Sequence, residues 1–218
     1  MNQLEEILNN LMIERIKDYT RMELIENVID LGGKDGKFTK KISRNLTVVD
    51  LDPQEIYENV NYIKTDILQY ETDNKFDLVV SSAFMEHFNR DDGIKILNKV
   101  NELLTDNGIT FITCPNAWSV NRLLGEFMGI GGALELSDGD KKVGHKYLYN
   151  LQRLEDIIKE VLHFIDSGSY FFKPLPANDM ISIFDKSEFK SFASITSTTH
   201  PHLKDFLAEI YVVAKKKY

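Results

Sequence analysis

Apolar and polar residues alternate with two different periods along this chain, and each change of period predicts an element. Between residues 3 and 26, Leu4, Ile7, Leu8, Leu11 and Ile16 recur at intervals typical of one face of a helix. Beyond them, short β-rich runs alternate with helical runs. Strands are predicted at ENVIDLG (26–32), LTVVDLD (46–52), VNYIKTD (60–66), KFDLVVSS (75–82) and GITFITCP (108–115). Helices are predicted between them at GKFTKKISR (36–44), PQEIYEN (53–59) and DDGIKILNKVNELLTDNG (91–108).

The remainder of the chain predicts one more helix and two more strands. The helix is NLQRLEDIIKEVLHF (150–164), and the strands are FIDSGSYFF (164–172) and AEIYVVAKK (208–216). Strands alternating with helices predict an α/β fold with a parallel sheet covered by helices on both faces. The glycine-rich segment 116–149 and the segment 174–204 break this rhythm. We interpret them as insertions after the fifth and sixth strands, on the substrate side, because open α/β sheets bind ligands at the carboxyl edge.

Length and charge narrow the class of protein. A chain of 218 residues that is 43% hydrophobic can bury one core, so residues 1–218 are expected to form a single domain. The net charge of −8 argues against a nucleic-acid partner. No apolar run is long enough to span a bilayer, and the acidic, amphipathic N-terminal segment does not resemble a signal peptide. The single cysteine, Cys114, fits a reducing compartment. We therefore expect a soluble, cytoplasmic protein.

The stretch VIDLGGKDG (28–36) concentrates glycine directly after the first strand, where bare backbone can approach a ligand. Its spacing matches neither the dinucleotide pattern G-x-G-x-x-G nor a phosphate-binding loop ending in G-K-[ST]. Asp30 ends the first strand and Asp50 ends the second, 18 residues after Gly32, at a distance that suits a carboxylate accepting ribose hydroxyls. Asp66 ends the third strand. The loop therefore indicates a nucleoside-containing cofactor other than a dinucleotide.

These motifs resemble, in order and spacing, those of the class I S-adenosylmethionine-dependent methyltransferases. VIDLGGKDG resembles the first motif of that family, VVDLDP the second and TDILQY the third. KFDLVVSSAFMEHF resembles the fourth strand with its loop, and LLTDNGITFITCPN the fifth strand. Lys34 departs from the family pattern, which has glycine there. The resemblance implies a seven-stranded Rossmann-like sheet whose last strand is antiparallel, with residues 1–26 as an N-terminal helical lid.

The resemblance also implies a cofactor, S-adenosylmethionine, and a set of residues that bind it. Asp50 would accept the ribose hydroxyls, and Asp66 would bind the adenine amino group with Ile67 beside it. Ser81 and Ser82 would face the sulfonium. The full set of implied cofactor-binding residues is Asp30, Gly32, Gly33, Lys34, Gly36, Asp50, Leu51, Asp66, Ile67, Ser81 and Ser82.

Histidine is the natural base for removing a proton from an acceptor near neutral pH. His145, in VGHKYLYN, is the first candidate, because the pattern PNAxS…GHxxxY after the fifth strand is similar to that of small sugar- and natural-product-modifying methyltransferases. The alternative for His145 is a structural hydrogen bond. His87, in MEHF, is the second candidate, with a role in loop structure and cofactor packing as the alternative. His163 is interpreted as a helix residue, and His200 and His202 as turn residues that flank Pro201.

Substrate contacts are expected in the insertion 116–149. We predict Asn116, Trp118, Arg122, Tyr147 and Tyr149 as substrate-binding residues. Other aromatic and apolar side chains of the two insertions could wall the pocket, with core packing as the alternative: Phe127, Met128, Tyr170, Phe171 and Phe172. Lys173 could join Arg122 in pairing with an anionic acceptor. Glu135, Asp138 and Asp140 could hold Mg²⁺, but acids around a loop glycine are usually solvated, so no metal site is predicted.

The sequence thus favours a methyltransferase that acts on a small molecule, such as a sugar, a nucleotide-linked sugar or a surface-glycan building block. Oxygen is favoured over nitrogen as the acceptor because His145 supplies a base. The alternative is a protein that binds S-adenosylmethionine without catalysis, which the departure at Lys34 would favour. A nicotinamide oxidoreductase is disfavoured by the glycine spacing. The N-terminal helix could serve either as a lid or as the contact of a homodimer.

Overall fold

The computed structural model describes residues 3–21, 25–183, 186–196 and 203–218. Within these residues, seven strands form one sheet: β1 (Asn27–Leu31), β2 (Asn45–Asp50), β3 (Val60–Lys64), β4 (Phe76–Ser82), β5 (Leu104–Pro115), β6 (His163–Tyr170) and β7 (Glu209–Lys215). Their order is β3-β2-β1-β4-β5-β7-β6. Only β7 runs against its neighbours, since it pairs antiparallel with both β5 and β6. The predicted mostly parallel sheet with an antiparallel last strand is confirmed.

Seven α-helices lie in the described part of the chain: α1 (Gln3–Tyr19), α2 (Arg90–Leu103), α3 (Val120–Phe127), α4 (Asp138–Lys142), α5 (Leu151–Val161), α6 (Ala177–Ile183) and α7 (Lys186–Thr196). Side chains of the sheet alternate between its two faces, so each face has its own core. Helices α2 and α5 pack on one face. Helices α1, α6 and α7 cover the other. None of these helices is long and apolar enough to cross a membrane.

Two of the predicted crossover helices do not form. The segment 36–44 makes only a 3₁₀ turn at Thr39–Lys41, and the segment 53–59 has no helix. Short isolated helices are marginal in water and depend on tertiary packing for their stability. Here α1 buries Leu11, Met12 and Ile16 on that face of the sheet, so the place that crossover helices would cover is filled by a distant part of the chain.

Two element boundaries also differ from the sequence prediction. Helix α2 ends at Leu103 and β5 begins at once, whereas Asn107 and Gly108 were predicted to end the helix. A Cβ atom at Gly108 would lie 2.7 Å from the carbonyl oxygen of Phe76, so this glycine permits close approach of β5 to β4. His163 is the first residue of β6 and is exposed, so its predicted place within a helix was wrong.

The carboxyl ends of β1 to β6 meet at one edge of the sheet, and both insertions begin there. The ends of the segment 116–149 are held together, because the Ala117 N–H donates to the Tyr149 carbonyl at 2.8 Å. The Asn116 side chain donates to the carbonyls of Asp205 and Leu207, at 2.9 and 2.7 Å, and so joins this insertion to the approach to β7. Of the second insertion, 174–204, residues 184–185 and 197–202 lie outside the described residues, and His200 and His202 are among them.

Candidate active site

The glycine loop after β1 is held by backbone hydrogen bonds to neighbouring strands. The Gly32 N–H donates to the Val49 carbonyl at 2.8 Å, and the Lys34 N–H donates to the Asp50 carboxylate at 3.2 Å. The Gly36 N–H closes the loop on the Gly33 carbonyl at 2.8 Å. The loop therefore has a defined shape that depends on the carboxyl end of β2.

Two of the glycines are required by the space around them. Gly32 has φ of +73°, and a Cβ atom there would lie 2.3 Å from the ring of Phe84. At Gly33 a Cβ atom would lie 2.3 Å from the carboxylate of Asp30. Lys34 adopts φ of +49°, in the left-handed region that glycine occupies at lower cost, and its side chain is exposed. The loop keeps the conformation expected of a glycine turn although one of the family's glycines is replaced.

Asp30 is buried directly beneath this loop. Its carboxylate accepts a hydrogen bond from the Thr39 hydroxyl at 2.7 Å, which explains why the residue at the 3₁₀ turn faces inward. Burial raises the pKa of Asp30 to about 7, and the carboxylates of Asp35 and Asp50 act in the same direction, whereas Thr39 opposes them. A carboxyl group with such a pKa is poised to ionise when a cation comes close.

A cavity of about 680 Å³ opens between the glycine loop, α1 and the ends of β4 to β7. It brings together five of the predicted cofactor-binding residues: Asp30, Gly32, Gly33, Lys34 and Ser82. Its other walls were not predicted as binding residues, apart from Tyr170 as a wall residue. They include Leu8, Asn9 and Met12 of α1, Phe38 and Thr39 of the turn, and Glu209 at the start of β7. Such a volume suits a small-molecule ligand.

Asp50, Leu51, Asp66 and Ile67 lie outside this cavity, along the ends of β2 and β3. The Asp50 carboxylate accepts from the N–H groups of Lys34 and Asp52, at 3.2 and 2.8 Å, so it already orders the glycine loop. Leu51 is 70% exposed. Asp66 accepts from the Leu68 N–H at 2.9 Å and caps a 3₁₀ turn in which Ile67 is buried. These four residues, which were predicted to bind the nucleoside, therefore lie along an open surface beside the cavity, which we call the open shelf.

The remaining predicted cofactor residues divide between the two faces of the sheet. Ser82 lines the cavity and accepts a hydrogen bond from Thr113 at 3.0 Å. Ser81 points to the other face, fully buried, and its hydroxyl has no hydrogen-bond partner among the described residues. Gly36 is buried with φ of +63° and packs against Val48, so it shapes the loop without reaching the cavity. The sheet register thus separates residues that the sequence grouped together.

His145 and His87 come together on the loop after β4 and at the end of the insertion 116–149. Their rings are 5.1 Å apart in an edge-to-face arrangement. His145 Nδ1 lies 3.2 Å from Asp140 Oδ1, and His87 Nδ1 lies 3.3 Å from the Gly144 carbonyl. Burial lowers the pKa of His145, while the hydrogen bond to Asp140 opposes that shift.

Asp140 is fixed by a network inside the insertion. Its carboxylate accepts from Arg122 at 3.0 Å and from the Ser137 hydroxyl at 2.6 Å, in a capping box that begins α4. Burial acts to raise the pKa of Asp140, but the hydrogen bonds from Ser137 and Arg122 outweigh it and bring the pKa to about 2. Arg122 donates further to the carbonyls of Ala133 and Glu135, at 3.0 and 2.9 Å. Arg122, predicted to bind substrate, instead holds the carboxylate that orients His145.

Glu86 completes this cluster and was not predicted as a site residue. Its side chain is 2% exposed, and neither carboxylate oxygen makes a well-formed hydrogen bond among the described residues, although its own backbone N–H and the Cys114 thiol lie close. Burial raises the pKa of Glu86 to about 8. Glu86 Oε1 lies 3.9 Å from His145 Nε2. The signal in the sequence was present, since Glu86 directly precedes His87 in MEHF, but nothing there indicated that its carboxyl group faces inward.

The other predicted substrate residues serve several roles. Tyr149 is 1% exposed and belongs to the core, packed edge-to-face with Tyr147 at 4.9 Å. Asn116 is buried, and Trp118 is partly exposed beside it. Among the residues proposed as pocket walls, Tyr170 lines the cavity and Phe171 is core, whereas Phe127 and Met128 face solvent.

The acids proposed as Mg²⁺ ligands do not form a common site in the described part of the chain. Asp140 is engaged by Arg122, Asp138 is exposed, and Glu135 accepts from the Gly132 N–H at 3.3 Å. Lys173 lies close enough to Glu209 to oppose the effect of burial, which raises the pKa of that carboxyl to about 7. Lys173 is therefore close to Glu209, a residue that lines the cavity.

Several solved structures share this fold over nearly the whole chain. An S-adenosylmethionine-dependent methyltransferase from Clostridium acetobutylicum aligns with a TM-score of 0.60 at 14% identity, covering 98% of this chain and 92% of its own. The N-methyltransferase NodS from Bradyrhizobium japonicum, in complex with S-adenosylhomocysteine, aligns with a TM-score of 0.55 at 15% identity, covering 95% and 88%. A 1,6-didemethyltoxoflavin-N1-methyltransferase from Burkholderia thailandensis aligns with a TM-score of 0.57 at 16% identity, covering 89% and 72%.

A comparison with curated proteins found no match to this chain. In a comparison with sequence families, residues 5–191 match a family described as a methyltransferase domain. The matched segment extends from α1 through the glycine loop and the histidine cluster into α7. The chain therefore belongs to the methyltransferase domain family.

Proposed function

We propose that this protein transfers a methyl group from S-adenosylmethionine to a small-molecule acceptor. One observation carries the proposal: a glycine loop lines a cavity of about 680 Å³, and buried Asp30 lies beneath this loop. Cβ atoms added at Gly32 and Gly33 would clash with neighbouring side chains, so the loop requires bare backbone there. These residues fit the cofactor, because bare backbone admits its amino-acid end and a carboxylate can pair with its ammonium group. When bound, S-adenosylmethionine would supply a methyl group on a positively charged sulfur: a bond from the acceptor oxygen or nitrogen to the methyl carbon would form as the carbon–sulfur bond breaks, with S-adenosylhomocysteine as the leaving group.

We assign the cofactor's nucleoside end to the open shelf. Asp50 would accept hydrogen bonds from the ribose hydroxyls, and Asp66 would receive the adenine amino group, with exposed Leu51 beside the ring. Two N–H groups already hold the Asp50 carboxylate, so it is oriented in advance of binding. Preorientation lowers the entropy cost of association.

We assign the acceptor to the side of the cavity that leads from Ser82 and Ala83 to the loop carrying His87. His145 and His87 do not line the cavity itself. An acceptor that extends toward them would be oriented by His145, which would remove the proton of a hydroxyl through Nε2, since Nδ1 is engaged by Asp140. Sugar-type hydroxyls are the favoured acceptors for this reason. Amines are the alternative, and NodS and the toxoflavin enzyme are both named as methyltransferases that act on nitrogen.

We also propose that α1 acts as a lid and not as the contact of a homodimer. Leu8, Asn9 and Met12 line the cavity, and Leu11 and Ile16 are buried against the chain's own sheet. An apolar face that is already buried is not available to a second copy. The net charge of −8 supports a small acceptor over a nucleic acid, and the free, buried Cys114 fits a cytoplasmic setting.

The first test is calorimetric titration of S-adenosylmethionine and S-adenosylhomocysteine into the wild type, Asp50→Ala and Asp52→Ala. Asp52 is the matched control, because it lies two residues away on the same loop and its carboxylate pairs with Lys64 at the surface. We expect at least a tenfold loss of affinity for Asp50→Ala, equivalent to about 1.4 kcal/mol, and near-normal binding for Asp52→Ala. Absence of binding to the wild type would contradict the cofactor assignment.

Turnover is tested next by following S-adenosylhomocysteine with sugar, nucleotide-sugar and amine acceptors. The comparison is between His145→Gln and His163→Gln, because His163 is exposed at the opposite edge of the sheet. We expect kcat to fall roughly 100-fold or more for the first, as for loss of a general base, and to be unchanged for the second. Cofactor binding without turnover on any acceptor would favour the non-catalytic alternative.

A further inference from the structure

Glu86, His87 and His145 place three ligand-type side chains in one small space. One ligand atom from each of the three lies within 4.8 Å of the other two. Glu86 Oε1 and His145 Nε2 are 3.9 Å apart. Two ligands bound to one ion at roughly 2.1 Å each lie about 3.4 Å apart in tetrahedral geometry. The three side chains therefore need only small movements to share one ion.

In both histidines the Nδ1 atom already has a partner. Nδ1 of His145 is engaged by Asp140, and Nδ1 of His87 by the Gly144 carbonyl. Each contact leaves Nε2 as the nitrogen available to a ligand. Metal-binding histidines commonly have their second ring nitrogen held by a carboxylate or a backbone carbonyl in this way.

The backbone that carries these side chains is fixed independently. The Lys146 and Tyr147 N–H groups both donate to the Glu86 carbonyl, at 2.8 and 3.2 Å. These bonds connect the loop after β4 to the end of the insertion 116–149. The backbone segments that carry the two histidines are therefore held together by both hydrogen bonds.

Glu86 provides the observation that points to a cation. Its carboxyl group is 2% exposed, and both oxygens lack a well-formed hydrogen bond among the described residues. Buried polar oxygens usually have a hydrogen-bond donor or a cation beside them, because an unpartnered polar atom in the interior is costly. Arg122, the cation nearest in the network, is used by Asp140 and by the backbone of the insertion.

We propose that Glu86, His87 and His145 bind one divalent transition-metal ion, with Asp140 as the residue that positions His145. Two imidazoles and one carboxylate suit Zn²⁺, Fe²⁺, Co²⁺ or Ni²⁺ better than Mg²⁺ or Ca²⁺, which prefer oxygen ligands. Three protein ligands leave further coordination positions free for water or for an acceptor oxygen.

The role of such an ion rests on the proposed methyl transfer, whereas its binding does not. An ion on Nε2 of His145 occupies the lone pair that would otherwise remove the acceptor proton. Held by Glu86, His87 and His145, such an ion would lower the pKa of a bound acceptor hydroxyl, whose proton would pass to solvent, and His145 would serve as a ligand instead of as the base. The metal-bound and metal-free proteins therefore activate the acceptor in two different ways.

The test is titration of ZnCl₂ and CoCl₂ into protein freed of any histidine tag, in a buffer that does not chelate metals and without S-adenosylmethionine. Binding is followed by calorimetry, and for Co²⁺ also by visible absorption. We expect one ion per chain and at least tenfold weaker binding for Glu86→Gln and His145→Gln. Asp140→Asn is expected to weaken binding 10- to 100-fold, and MgCl₂ to bind far more weakly than ZnCl₂.

His163→Gln is the matched control, since it removes an exposed histidine outside the cluster and should leave the affinity unchanged. The proposal is overturned if the wild type binds neither ion at millimolar concentration, or if Glu86→Gln and His145→Gln both bind as tightly as the wild type. Because no cofactor is present in the titration, failure of S-adenosylmethionine binding leaves the result intact. Loss of metal binding likewise leaves the methyltransferase proposal intact.

Discussion

Two buried carboxyl groups lie near the carboxyl edge of the sheet, and their surroundings differ. Asp30 lies on the face covered by α1, next to the cavity, and Thr39 donates a hydrogen bond to it. Glu86 lies toward the other face, near Cys114 and Tyr149, and its oxygens make no well-formed hydrogen bond among the described residues. Burial raises the pKa of both groups. The carboxyl group with a well-formed hydrogen bond supports the local structure, whereas the oxygens of the other are available to the cation proposed above.

The largest effect is expected from Asp30, which should make the free energy of unfolding of the protein depend on pH. In the folded state its pKa is about 7, against 3.8 for an unperturbed group. Between these values the unfolded chain is ionised and the folded chain is not, so the free energy of unfolding decreases as pH rises. Asp30→Asn removes this dependence and keeps an acceptor for Thr39. Relative to the wild type it should gain up to about 4 kcal/mol between pH 4 and pH 8.

Urea unfolding of the two proteins at several pH values measures this difference directly. A difference that stays constant from pH 4 to pH 8 would show that Asp30 is not held in the protonated form. The same variant should bind S-adenosylmethionine more weakly at pH 8, because the amide cannot pair with an ammonium group. Calorimetry at that pH tests the second expectation separately.

The second largest effect is expected from Gly33→Ala, which breaks the relation between Asp30 and the loop. The added Cβ atom would lie 2.3 Å from the Asp30 carboxylate, which is buried and cannot move freely. Overpacking of this kind costs about 1–3 kcal/mol, and S-adenosylmethionine binding should weaken at least tenfold. Gly125→Ala in α3 is the control, since a Cβ atom there meets nothing within 4 Å. Equal behaviour of the two variants in thermal unfolding and calorimetry would contradict the assignment.

A smaller effect is expected from Glu86→Gln in metal-free protein. At pH 4, where the carboxyl group is protonated in most folded and unfolded chains, the free energy of unfolding should change by less than about 1 kcal/mol. As pH rises toward 8, the variant should gain stability over the wild type, because the pKa of Glu86 is raised as that of Asp30 is. The same change should abolish the stabilisation that Zn²⁺ gives to the wild type in thermal unfolding. A large loss of stability without metal would mean that Glu86 supports the fold, as Asp30 does.

The smallest effect is expected from Lys34→Gly, which restores the family's glycine at φ of +49°. Relief of left-handed strain, roughly 1–2 kcal/mol, is largely offset by the greater entropy of glycine in the unfolded chain. The net change in stability should stay within about 1 kcal/mol, and S-adenosylmethionine binding should be kept or improved. Weaker binding to Lys34→Gly in calorimetry would show that the exposed lysine itself contacts the cofactor.

The sequence predicted the strands and the loop better than the crossover helices and the cluster. Because motif spacing is a local property, the sequence alone assigned Asp30, Gly32 and Ser82 to one predicted cofactor site. The helices at 36–44 and 53–59 failed because a distant element, α1, covers that face and removes the packing that would stabilise them. The hydrophobic periodicity of a short segment does not show whether another segment, such as α1, packs on the same face of the sheet.

The inward direction of Glu86 was invisible for a related reason. The surroundings of Glu86 are completed by Lys146 and Tyr147, which donate to its carbonyl and lie far along the chain. His145 was identified from its motif, but its partner Asp140 was read only as a loop acid. Asp140 is held by Arg122 and by the capping box that it forms with Ser137, and no short sequence motif includes both Arg122 and this box.

The position of β7 between β5 and β6 has a consequence for the order in which the protein forms during synthesis. Every other strand leaves the ribosome before the last partner of the sheet does. Until Glu209–Lys215 appears, the pairing edges of β5 and β6 remain open, and open edges invite association with other chains. Glu209 also lines the cavity, so the ligand site and the closed sheet are completed by the same late segment.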